Sequence, residues 1–95
     1  MKNEIYDTVF DALADSPAEA ANLVLRADLM LLIRERVATW SVSQEQAAER
    51  LGVTRPRLND LLRGKIDKFS LDALVNIAAS AGLALHISDR SERAA

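Results

Sequence analysis

The chain has no cysteine, two prolines, three glycines and four aromatic residues among 95. Without cysteine there are no disulfides, no zinc–cysteine sites and no thiol nucleophile. Few glycines and prolines, with abundant leucine and alanine, favour an all-α protein. Long hydrophobic runs are missing too. The most apolar stretch, residues 23–33, is broken by Arg26 and Asp28, so it does not span a bilayer. No secretory signal is visible, and the expectation is a soluble cytoplasmic protein with no membrane association. Histidine occurs once, at His86. Glu45 and Glu49 have helical i,i+4 spacing but no metal ligand beside them. Nothing here makes a catalytic set, so the expectation is no enzyme, no cofactor and no metal.

An excess of positive charge is also missing, because the formal net charge is −2. The distribution says more than the total. Residues 1–30 hold two bases and six acids; residues 54–68 hold five bases (Arg55, Arg57, Arg63, Lys65, Lys68) and two acids. A docking face responds to its local field, not to the sum.

What is present is a succession of helix starts and stops. Residues 1–15 form an N-terminal arm in which Val9, Phe10 and Leu13 fit one short helical turn packed on the body. Ser16-Pro17-Ala18-Glu19 is a strong helix start: serine caps, proline takes the first helical position and glutamate follows at capping-box spacing. The helix is expected to run to about Thr39. Leu23, Val24, Ala27, Met30, Leu31 and Ile33 should form its inner side, with Leu25, Leu29 and Leu32 widening the apolar surface. Trp40 is expected to cap the core, with stacking on a nucleic-acid base as the alternative.

Ser43 and Gln46 make a second capping box. Ala47, Ala48 and Leu51 are the inner side of that helix, and Gly52 ends it with a left-handed backbone. Thr54 caps a third helix whose first turn is Arg55, Pro56 and Arg57. Leu58, Leu61 and Leu62 point inward, and Gly64 ends it. Ile66 and Phe69 anchor the next loop. Ser70 caps a fourth helix with Leu71, Leu74, Val75, Ile77 and Ala78 as its apolar side, and Gly82 closes it. Residues 83–88 then alternate, with Leu83, Leu85 and Ile87 on one face, which predicts a strand. A lone strand in a helical chain leaves its backbone unpaired, so pairing with the same strand of a second subunit is expected. The alternative is an extended tail laid over the core. Residues 16–88 thus make one domain, and residues 89–95 a frayed tail.

Two short helices about Gly52, with arginines opening the second, are what is needed to put a helix end into the DNA major groove. Arg55 and Arg57 lie at the tip, and arginine pairs bidentately with guanine. Pro56 shares that turn at the base edges. Asn59 can reach a base edge or a phosphate. Asp60 can accept from cytosine or hold Arg57 in place. Gln44 and Thr54, each at a helix start, and Arg63, Lys65 and Lys68 are placed for phosphates.

Gln44, Ala48, Gly52, Leu58 and Leu61 have the spacing of the XRE family of phage-repressor-like helix-turn-helix proteins, which the chain resembles. The resemblance extends over Val9-Phe10, Ala20-Ala21-Asn22-Leu23, Arg26-Ala27-Asp28-Leu29-Met30, Pro56-Arg57, Arg63-Gly64-Lys65-Ile66 and Phe69-Ser70-Leu71-Asp72. Those segments look like the HigA-like antitoxin branch, nearly to Ile87. The resemblance implies a small lambda-repressor-like bundle. It further implies a homodimer that represses its own operon at an inverted-repeat operator, and that neutralises a RelE/HigB-like toxin. The N-terminal acids then read either as solubilising charge or as a surface for that basic toxin. A stand-alone regulator, and a helical interaction module without DNA binding, are the alternatives.

Overall fold

The computed structural model describes residues 16–89, which hold four α-helices and one 3-10 turn. Helix α1 spans Pro17–Ala38. Its start follows the expected chemistry: Pro17 occupies the first turn, and the Ser16 hydroxyl accepts from the Glu19 amide at 3.1 Å. Proline is tolerated there because first-turn amides have no helical partner. Leu23, Leu29, Met30 and Ile33 are buried, and Val37 packs against the same core.

One expectation for α1 is corrected. Leu31 lies outward, 49% exposed, whereas Leu29 is buried. Leu29 shares its side of the helix with Arg36, seven residues on. Arg36 Nη1 donates to the Ala81 carbonyl at 3.0 Å, at the end of the last helix, so that side of α1 is covered and the side of Leu31 is not.

Helices α2 (Gln44–Leu51) and α3 (Arg55–Leu62) form the helix-turn-helix. The capping box closes in both directions: Ser43 Oγ accepts from the Gln46 amide at 3.1 Å, and Gln46 Oε1 accepts from the Ser43 amide at 3.0 Å. Gly52 has φ +72°, a left-handed conformation that costs a side-chain-bearing residue about 1–2 kcal/mol. The turn is sealed by the Val53 amide, which donates to the Ala48 carbonyl at 3.0 Å in the Schellman pattern. Thr54 Oγ1 then caps α3 through the Arg57 amide.

After the 3-10 turn Ile66–Lys68, helix α4 (Leu71–Ser80) is capped by Ser70, whose hydroxyl accepts from Ala73. α4 runs beside α1 in the same direction. Arg26 of α1 meets the chain just before α4 begins, and Arg36 meets the carbonyl where it ends. The core lies between α1 and the other three helices. Ile33, Leu58, Leu61 and Leu74 are fully buried there, with Leu51 and Phe69 nearly so. Val75, expected inside, is 40% exposed, because Leu74, Ile77 and Ala78 already fill the inner stripe of α4.

Leu83 packs on the core, but Leu85 and Ile87 are exposed, and residues 83–89 carry no regular secondary structure. A strand exists through its ladder, and the described residues of the single chain offer this segment none. The expected arm at 1–15 and most of the expected tail lie outside the described residues. Among the described residues, no helix is long and apolar enough to cross a membrane.

Candidate nucleic-acid interface

Helical geometry decides which side chains of α3 are available. Leu58 and Leu61 are buried, and successive residues turn by about 100°. The opposite side is therefore the ridge of Pro56, Asn59 and Arg63, all exposed. Arg55, also exposed, stands one turn before Asn59 on one shoulder of that ridge. Asp60 and Arg57 fall on the other shoulder. Gln44, at the first position of α2, and Thr54, at the cap of α3, are exposed as well. The leading amides of both helices have no intrahelical acceptor and favour an anion.

Arg57 is not presented as Arg55 is. It is half-buried, with its guanidinium carbon 4.3 Å from the centroid of the Phe69 ring. Its Nη1 donates to the Lys68 carbonyl at 3.2 Å. Asp60 does not hold it: the carboxylate of Asp60 pairs with Lys65 Nζ at 3.6 Å. Arg63, at the C-cap of α3, and Lys68, in the loop, are exposed. Trp40 packs against the core as expected, and the Arg50 guanidinium covers its ring at 4.9 Å.

Two arginines join this surface that the sequence did not assign to it. Arg26 Nη1 donates to the carbonyls of Ile66 and Phe69, each at 3.1 Å, while its Nε is held by Asn22 Oδ1 at 2.7 Å. One signal did exist for it. Arg26 lies on the inward spacing of Met30, Ile33 and Val37, and a cation on a buried stripe must find acceptors. Arg34 is brought to the end of α3, where a side chain on Gly64 would lie 3.5 Å from its Nη1. Arg34 therefore adds positive charge beside Arg63 and Lys65. No local pattern marks it, because its proximity to Gly64 is made by the packing of α1 on α3.

The surface is thus a helix-turn-helix whose second helix presents an exposed polar ridge, edged by cations from α1, α3 and the following loop. The family model of the helix-turn-helix domain matches residues 12–89. The chain belongs to the helix-turn-helix domain family. A comparison with curated proteins finds no match.

Proposed function

We propose that the protein is a sequence-specific DNA-binding transcriptional repressor, acting in the cytoplasm as a homodimer and without a catalytic step. The observation that carries this reading is the exposed ridge of Pro56, Asn59 and Arg63 with Arg55 on its shoulder, on a helix seated on the core by Leu58 and Leu61. A helix anchored in this way and preceded by a tight turn enters the major groove by its N-terminal end. Gln44, Thr54, Arg63, Lys65 and Lys68 lie around it for phosphates. The alternation of Leu83, Leu85 and Ile87, with the last two exposed, supports pairing of this segment with its copy in a second subunit. Two-fold symmetry then requires an inverted-repeat operator with half-sites about one helical turn apart.

The resemblance to the HigA-like branch of XRE proteins supports a second role, as antitoxin to a RelE/HigB-like toxin and as repressor of the shared operon. Co-purification of a small basic protein encoded beside this gene tests that role. For DNA binding itself, the test is a gel shift on the protein's own promoter over a salt series. Affinity that falls steeply with salt is expected, because phosphate contacts release counterions. Absent or salt-insensitive binding would overturn the reading in favour of a protein-interaction module.

A further inference from the structure

The loop between α3 and α4 is short of internal bonds. Its 3-10 turn contributes Lys68 N to Lys65 O at 3.0 Å and Phe69 N to Ile66 O at 3.3 Å. A segment so lightly held opens easily unless other elements hold it. Here two guanidinium groups, carried by two different helices, do so. Arg26 of α1 takes the carbonyls of Ile66 and Phe69. Arg57 of α3 takes the carbonyl of Lys68 and lies over the face of the Phe69 ring. Phe69 is 2% exposed, so the ring is a rigid platform set in the core.

This arrangement decides what Arg57 does. Bidentate pairing with guanine needs the guanidinium fork turned edge-on to the base. The fork of Arg57 lies over an aromatic face with one nitrogen already committed to a carbonyl. These two contacts hold its guanidinium at the loop, and a base would have to compete with the Lys68 carbonyl for that nitrogen. Arg55 carries no such tether, and Asn59 stands one turn further along the same exposed side.

We propose that Arg57 is a positioning residue: it fixes the 65–69 loop and its two lysines against α3, and sequence readout belongs to Arg55 and Asn59. This rests on the DNA-binding reading above. Lys65 and Lys68 belong to the clamped segment, so the backbone that carries them has a set place relative to the groove-facing ridge. Arg57 therefore acts on affinity for every sequence, while Arg55 and Asn59 act on which sequence is bound.

The test uses the full chain and a randomised 20-base-pair duplex library. Wild type, Arg55→Ala and Arg57→Ala each select from the library, and affinities are then measured on the enriched duplexes. Arg57→Ala should enrich the wild-type motif and bind it about tenfold more weakly at every single-base variant. Arg55→Ala should lose preference at one base pair per half-site. Arg57→Lys keeps the charge without the flat fork, so it should behave as the alanine variant does. A guanine preference lost with Arg57→Ala, or wild-type affinity with Arg57→Lys, overturns the proposal. A wild-type protein that enriches no motif instead overturns the DNA-binding reading beneath it. Amide and aromatic NMR spectra of the free protein supply a readout without DNA. Arg57→Ala should shift the signals of residues 65–69 and the Phe69 ring, and Arg55→Ala should leave them in place. Unmoved Phe69 signals in Arg57→Ala would refute the clamp. If the alanine variant does not fold, Arg57→Lys carries the same comparisons.

Discussion

Arg55 and Arg57 are two residues apart and chemically identical, yet they face different environments. One is exposed; the other lies over a buried ring. The spacing in the sequence put both at the tip of the same helix, and that placement is correct. What the spacing did not contain was Phe69, twelve residues on, which folds back beneath Arg57. The partner of Asp60 was equally hidden, since Lys65 reaches it only because the chain turns at Gly64. The availability of each cation sets the expected size of its effect. Arg55→Ala should cost about 1–3 kcal/mol of discrimination at one base pair, read as the affinity ratio between the selected duplex and its substituted form. Lys68→Ala should weaken binding on all sequences and lower the salt slope by about one. Lys65→Ala should lower it less, because Asp60 already neutralises part of that charge. Equal slopes for the two lysine variants would show that the Asp60–Lys65 pair dissolves on DNA.

At the level of the element, starts and stops were legible because capping is local chemistry. Ser16, Ser43, Thr54 and Ser70 each accept from an amide three residues on, as their positions before the helices predict. Ser43→Ala removes one half of a closed capping box and should destabilise the protein by about 0.5–2 kcal/mol in urea denaturation. Gly52→Ala tests the turn itself. A Cβ there would meet nothing within 4 Å, so sterics with neighbours do not enter. The cost should be the left-handed backbone alone, about 1–2 kcal/mol. A variant as stable as wild type would mean that the turn relaxes to another shape. The faces of α1 were less legible. Leucine fills so much of its circumference that the pattern permits more than one inner stripe. The contact between Arg36 and Ala81 shows which side α4 covers.

At the scale of the whole molecule, one core carries the four helices of the described residues, so damage to it reaches all of them. Leu58 is fully buried between the helix-turn-helix and α1, and Leu58→Ala should cost about 2–5 kcal/mol, measured by thermal or urea unfolding. DNA binding should then fall only in proportion to the fraction unfolded. The oligomeric state belongs to this scale as well. Removing residues 83–95 should shift the protein towards monomer in sizing with light scattering. A dimer that survives the deletion would transfer the subunit contact elsewhere, and the exposed Leu25, Leu31 and Leu32 of α1 would be the next surface to test.

Among the described residues, the sequence by itself determined the four helices, their caps, the glycine turns and the pair of helices that makes the helix-turn-helix. Each depends on residues within one turn of one another, where hydrogen bonding and backbone sterics act without reference to the rest of the chain. Only the tertiary structure decided which of two neighbouring arginines is exposed, which leucines of α1 are inside, and that Arg26 and Arg34 belong beside the helix-turn-helix. Those outcomes depend on groups far apart in sequence meeting across a packed core, and no local period encodes such a meeting.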